Sequence, residues 1–112
     1  GPAGVDMHII HSEISKQKIT DGWEDGLKAN INQKELETLR PRLDQFNKMF
    51  KPVRKGDVIR ISYSPGTGTE VRINGEWRGA VEGNDFYRAL LKIWLGPRPV
   101  SKSLKKGMLG LD

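Results

Sequence analysis

The chain contains no cysteine among its 112 residues, so disulfide bonds, thiolate-ligated zinc and thiol catalysis are excluded. No apolar run approaches the ~18 residues that a membrane-spanning helix needs. The only histidines, His8 and His11, lie three residues apart, which on a strand places their rings on opposite faces. With no third histidine to complete a ligand set, we expect no metal site. The remaining tryptophan, leucine and isoleucine clusters exclude a disordered tail, and the length indicates one domain.

The net charge of +5 is concentrated near the C-terminus. From Phe86 onward the chain has one acid, Asp112, against the basic residues Arg88, Lys92, Arg98, Lys102, Lys105 and Lys106. Such a segment could meet nucleic acid, an anionic surface or an acidic ligand, whereas a solvated helix face is the simpler interpretation. Nucleic acid is the weaker option because no aromatic residues alternate with the basic ones and no recognised motif is present.

Residues 1–4 resemble a remnant left by protease cleavage, and residues 5–112 are predicted to form a single domain. Val5 to Ile14 is typical of a short strand. Ser15 is a candidate helix cap, and the following apolar residues recur every four positions, which predicts an amphipathic helix. The members of this stripe are Ile19, Trp23, Leu27 and Ile31.

A second helix is predicted after a capping box formed by Asn32 and Glu35. Pro41 falls inside its apolar pattern, so either the helix bends there or two shorter helices meet at Arg40. A third helix is expected to begin at Asn84 and end at Gly96, and Ser101 is expected to cap a short last helix.

Three alternating segments between these helices predict an antiparallel meander: Val58 to Tyr63, Thr69 to Ile73, and Glu76 to Val81. Pro65-Gly66 fits the centre of a type II turn. Asn74-Gly75 favours a type I′ hairpin, because both central residues of that turn need positive φ.

An ordered set of short motifs from Lys55 to Gly110 resembles the bacterial chalcone isomerase-like domain family. The motifs are Gly56-Asp57, Pro65-Gly66-Thr67-Gly68-Thr69, Asn74-Gly75, Ile93-Trp94-Leu95-Gly96 followed by Pro99, and Leu104-Lys105-Lys106-Gly107-Met108-Leu109-Gly110. The resemblance implies an α+β fold in which helices pack on one face of an antiparallel sheet, the class that the element order also indicates.

The resemblance further implies strands upstream of those seen here, so we expect a domain that begins inside the family's sheet and leaves one edge open. An open edge offers unpaired backbone groups, which favours a homodimer. The resemblance also suggests an exported, periplasmic location, although no feature of this sequence itself indicates a compartment.

The chemistry of the isomerases is not expected to transfer to this chain. Their catalytic tyrosine and asparagine fall near Lys16 and Trp23, a late hydroxyl falls near Ile93, and an arginine comes from the upstream part. None of these side chains is present at the matching positions, and no cofactor is implied. We therefore predict a non-catalytic domain, with an isomerase-type enzyme or an interaction module that uses the basic C-terminal end as alternatives.

The function favoured by the resemblance is binding of a fatty-acid-like or other apolar ligand between sheet and helices. The residues expected to line that cleft are Trp23, Tyr63, Phe86 and Trp94, each of which could equally be an ordinary core aromatic. Arg60 or Arg88 is expected near the mouth, where a guanidinium group could bind a carboxylate.

Overall fold

The computed structural model of the chain describes residues 4–95 and 109–111. Antiparallel strands form its main sheet, and helices cover one face of that sheet. The elements in chain order are β1 (Gly4–Ile9), β2 (Glu13–Ile14), α1 (Lys16–Asn30), α2 (Gln33–Asn47), β3 (Val53–Arg54), β4 (Val58–Ser64), β5 (Gly68–Ile73), β6 (Glu76–Val81), α3 (Asn84–Leu95) and β7 (Leu109–Leu111). The main sheet has the strand order β6-β5-β4-β1-β7, and β2 pairs with β3 in a separate small sheet. The predicted α+β class is confirmed.

The first two helices begin where the sequence predicts them. The Ser15 hydroxyl accepts a hydrogen bond from the Lys18 amide at 3.1 Å, and the Asn32 side chain accepts one from the Glu35 amide at 2.8 Å. Of the two possibilities at Pro41, the single helix is confirmed and the alternative break at Arg40 is wrong, because α2 continues through Pro41. A proline removes only one backbone hydrogen bond, whereas an uninterrupted helix buries its apolar stripe on both sides of that position.

The segment predicted as one strand from Val5 to Ile14 is two strands. The backbone of Ile9 forms hydrogen bonds with Asp57 and Gly56, of 2.9 and 3.0 Å, at the end of β1. The chain then turns away, and Ile14 pairs with Val53 in the small sheet. β1 also includes Gly4, which pairs with Ser62.

The meander and its type I′ hairpin are confirmed. Asn74 and Gly75 have φ values of 53° and 80°. The Asn74 side chain adds two bonds to the hairpin: its oxygen accepts from the Val58 amide at 2.9 Å, and its nitrogen donates to the Asp57 carboxylate at 3.0 Å. This network joins the tip of the β5–β6 hairpin to the start of β4.

The turn between β4 and β5 is not type II. The Thr67 amide donates to the Ser64 carbonyl at 3.0 Å, but Gly66 lacks the positive φ that a type II turn requires. The positive φ of 103° falls on Gly68 instead. A side chain there would also collide with the carbonyl of Val81, so the close approach of β6 selects glycine at this position.

The helices pack closely at Gly26 of α1. A Cβ atom at this position would lie 2.9 Å from Cγ2 of Ile93 on α3. Glycine therefore allows the two helices to meet, at the roughly 1 kcal/mol cost in helix propensity that an interior glycine carries.

Each edge of the main sheet has a further contact or irregularity. β7 pairs with the Met7–Ile9 part of β1, on the side where the sequence predicts an open edge. On the opposite side, β6 has a bulge and its Ala80 carbonyl accepts from the Gln45 side chain at 3.3 Å. Pairing of strands between two copies stays a prediction. The expected short helix after Ser101 lies outside the described residues.

Replacing Gly75 with valine should destabilise the fold, because a β-branched residue resists a φ of 80°. We expect a loss of about 1–3 kcal/mol in the free energy of unfolding, measured by urea denaturation. Gly66→Val is the matched control, since Gly66 has no positive φ and a side chain there meets nothing within 4 Å. Equal unfolding midpoints for the two variants would contradict the hairpin geometry.

The Arg42–Asp85 ion pair should make stability pH-dependent. The two groups form a bidentate pair of 2.7 and 2.9 Å that joins α2 to α3, and the hydrogen bonds from Arg42 lower the pKa of Asp85. Stabilisation by the pair is then present above the unfolded pKa of about 3.9 and is lost as pH falls through the lower folded value.

Asp85→Asn is accordingly expected to unfold at lower urea than the parent chain at neutral pH, with the difference vanishing in strong acid. Because half of the Asp85 side chain is exposed, the shift should be modest. Asp25→Asn, on the exposed side of α1, should leave the midpoint unchanged. A difference for Asp85→Asn that persists at low pH would show that the ion pair is not its source.

Candidate functional site

Two of the predicted ligand residues, Trp23 and Phe86, lie in an aromatic cluster in the core. Their side chains are 1% and 0% exposed. Phe46 connects them, with ring centroids 6.1 Å from Trp23 and 5.4 Å from Phe86, and Phe50 packs 4.9 Å from Phe46. Edge-on contacts at these distances are typical of a packed aromatic core.

Tyr63 occupies a different position, at the border between core and solvent. It is half-buried on β4, and its ring centroid lies 5.3 Å from that of Tyr87 on α3. Thr69 on β5 is paired directly with Tyr63 in the sheet register. Because side chains alternate between faces along a strand, Thr69 shares the helix-covered face with Val71. We call Tyr63, Thr69 and Tyr87 the hydroxyl corner.

The hydroxyl of Thr69 is the most unusual group at this corner. Thr69 is 0% exposed, and its hydroxyl oxygen has no hydrogen-bond partner in the part of the chain that the structure describes. A buried polar group without a partner costs roughly 1–3 kcal/mol. A ligand atom that formed a hydrogen bond with this hydroxyl would remove that cost.

Tyr87 adds a donor to the same corner. Burial raises the pKa of its phenol, and the positive charge of Arg60 partly opposes this shift. The phenol is therefore protonated at neutral pH and can donate a hydrogen bond.

The two predicted cations differ in their surroundings. Arg60 forms an ion pair with Asp6 at 2.7 Å, and it lies on the sheet face opposite to its neighbour Ile61 and to Tyr63. Arg88 is exposed on α3, directly after Tyr87, and it forms no ion pair with any residue in the described ranges. Trp94 belongs to the last turn of α3, but its side chain lies outside the described part.

The structure thus brings Tyr63 together with two residues that the sequence analysis missed, Thr69 and Tyr87. Thr69 could have been noticed as the polar member of the inward series that continues with Val71 and Ile73. Tyr87 had no comparable signal, because only the packing of α3 shows which of its aromatic residues reaches Tyr63.

Two surface cavities lie away from this corner. One, of about 470 Å³, lies between the start of α1 and the end of α2, and the other, of about 390 Å³, lies beside β3. None of the predicted ligand residues lines either cavity. Within residues 4–95 and 109–111, no group of three or more histidine or carboxylate side chains could hold a metal ion, and no helix is long and apolar enough to cross a membrane.

Comparison with known proteins agrees with the resemblance and extends it. No curated protein matches the chain. The model of the family described as chalcone isomerase-like matches residues 1–110, nearly the whole length. On that match, and with the observed sheet and helices, this chain belongs to the chalcone isomerase-like family.

Proposed function

We propose that this domain binds a small apolar ligand with one polar head, such as a fatty acid, without catalysing a reaction. The single observation that carries the proposal is the buried Thr69 hydroxyl, which has no hydrogen-bond partner among the described residues; Thr69 is paired in the sheet with Tyr63, whose ring contacts that of Tyr87. In an interior made of hydrocarbon and aromatic side chains, such a group favours a ligand that brings its own acceptor or donor.

The polar head would meet the hydroxyl corner. Tyr87 can donate from its protonated phenol, Thr69 can donate or accept, and the exposed Arg88 supplies a nearby positive charge for a carboxylate. The apolar part would enter between the sheet and α3. Tyr63, which is only half-buried, is the side chain whose movement would open this route.

The core aromatics then take a supporting role in the proposal. Trp23 and Phe86 are fully packed, so ligand entry at these residues would require rearrangement of the aromatic cluster. In this proposal their packing sets the positions of α1 and α3, and therefore how deeply the hydroxyl corner is buried. Arg60 is a weaker candidate than Arg88, because Asp6 already neutralises it on the other face.

The absence of catalysis rests on the three positions where the isomerases carry polar groups. Lys16 is exposed on the first turn of α1, while Trp23 and Ile93 are buried in the core. None of them is the tyrosine, asparagine or hydroxyl residue that the resemblance places near these positions. An isomerase-type enzyme remains the alternative hypothesis, and the chalcone assay below tests it.

Ligand binding is tested with palmitate as the probe and native mass spectrometry as the measurement. We expect the parent chain to retain palmitate and Thr69→Val to lose most of it, because valine fills the same space without the hydroxyl. The free Thr69→Val protein should be as stable as the parent or more so, since the variant removes a buried polar group that lacks a partner.

Thr67→Val, in the exposed turn before β5, is the matched control and should bind like the parent. Retention of palmitate by Thr69→Val at the parental level would remove the hydroxyl corner as the site. Failure of the parent chain to bind palmitate or other fatty acids would refute the proposed function.

Chalcone isomerisation should not rise above the spontaneous background. Loss of one preorganised donor to a developing oxyanion typically costs ~10²–10³ in rate, and this chain lacks several of them. The measurement is the loss of chalcone absorbance with and without protein, followed by chiral separation of the flavanone. A racemic product is expected, and a single enantiomer would establish the enzyme alternative.

A further inference from the structure

Five exposed cations without a carboxylate partner among the described residues lie around the small β2–β3 sheet, while single ones, such as Lys34, Arg88 and Lys92, are scattered over the helices. Elsewhere, Arg40, Arg42, Arg60, Arg72 and Arg78 each lie within 4.0 Å of a carboxylate oxygen. Around the small β2–β3 sheet, by contrast, exposed cations form no ion pair with any described residue. These residues, which we call the basic end, are Lys16, Lys48, Lys51, Arg54 and Lys55.

The tertiary structure brings these cations together from separate elements. Lys16 at the start of α1 and Lys48 at the end of α2 line the larger surface cavity. Lys51 and Arg54 line the smaller one. The two cavities are connected through the small sheet, because Glu13, Val53 and Arg54 of β2 and β3 line the smaller one, while Ser15 and Lys16, directly after β2, line the larger one.

Two carboxylates lie among these cations, Glu13 and Asp57. Asp57 already accepts hydrogen bonds from the Arg54 amide, at 2.9 Å, and from the Asn74 side chain, and these bonds lower the pKa of its carboxyl. It remains charged, and its charge also interacts with those of Arg54 and Lys51, so it offsets part of their positive charge. The basic end keeps a net positive charge that no residue in the described part of the chain neutralises by contact.

Two large apolar side chains of the described residues are exposed, Ile10 and Trp77, and both lie at this same end of the sheet. Ile10, 47% exposed, follows Ile9, whose backbone bonds with the Gly56–Asp57 turn next to Lys55. Trp77, 49% exposed, is the second residue of β6, close to the Asn74-Gly75 tip, and Asn74 lines the smaller cavity. Aliphatic and tryptophan side chains exposed beside lysines are typical of a surface that contacts lipid.

We propose that the basic end binds the surface of an anionic lipid bilayer, with Ile10 and Trp77 entering the headgroup region. Lysine and arginine near such a surface are attracted by its negative potential, and each is expected to raise the partition coefficient about fivefold. Tryptophan prefers the interfacial layer because its ring is apolar and its N–H can remain hydrated. The contact is peripheral and does not require the hydroxyl corner.

The experiment measures co-sedimentation of the full chain with vesicles of phosphatidylcholine alone and of phosphatidylcholine mixed with phosphatidylglycerol. Binding is expected only to the mixed vesicles, and it should weaken as salt is raised, because the Debye length shortens. The double variant Lys51→Glu with Lys55→Glu should reduce the partition coefficient at least 25-fold, about fivefold for each cation removed. Both residues are exposed, and circular dichroism will verify that the variant folds.

Lys34→Glu with Lys92→Glu is the matched control, since these exposed cations also lack ion pairs but lie on α2 and α3 outside the basic end. It should keep most of the binding. Ile10→Ser with Trp77→Ser should weaken binding to vesicles while leaving the affinity for a short DNA duplex unchanged.

Other outcomes would overturn the proposal. Equal losses in the two charge-reversal variants would show a general charge effect. Binding that disappears only when Lys102, Lys105 and Lys106 become glutamine would assign it to the C-terminal segment. DNA binding as tight as vesicle binding, with no effect of Ile10→Ser and Trp77→Ser, would indicate simple polyanion binding.

Discussion

Contacts among aromatic rings hold the three helices against one another, and the rest of the described structure depends on them. Trp23 comes from α1, Phe46 from α2 and Phe86 from α3, and neighbouring rings in the cluster lie 4.9 to 6.1 Å apart. Each ring removes a large apolar area from water, and the edge-on geometry adds a directional preference. Movement of one helix would therefore disturb the other two.

This packing also determines where polar groups are tolerated. Gly26 lets α1 approach Ile93 of α3, and the same helix α3 carries Tyr87, whose ring contacts Tyr63 on the sheet. Thr69 then lies in a layer that is otherwise apolar. Replacing that hydroxyl with a methyl group should increase the free energy of unfolding, so stability alone does not explain threonine at this position. The position of Thr69 thus supports binding more strongly than the core aromatics do.

Two surfaces with different chemistry result from this arrangement. The hydroxyl corner combines a buried polar group with a half-buried tyrosine, and it suits a ligand that is mostly apolar. The basic end combines exposed cations with two exposed apolar side chains, and it suits a charged interface. They depend on different residues, so either proposal can fail while the other stands.

Local rules were sufficient for much of the fold. The helix caps at Ser15 and Asn32, the alternation of β4 to β6 and the Asn74-Gly75 hairpin are determined by short-range chemistry, and all were predictable from the sequence. Other features needed distant contacts. Glycine is needed at position 68 because β6 passes close to it and leaves no room for a Cβ atom.

The candidate site shows the same division. Its aromatic members were recognisable as large apolar side chains, but their separation into core residues and a half-buried Tyr63 was decided by tertiary packing. Alternation placed Arg60 on the face away from Tyr63, while its partner Asp6 comes from a strand far along the chain. The sequence by itself determined the helices, the meander and the family, because local propensity and ordered motifs are written in consecutive residues. Only the tertiary structure decided which hydroxyls and cations meet, because those contacts join elements that are distant in sequence.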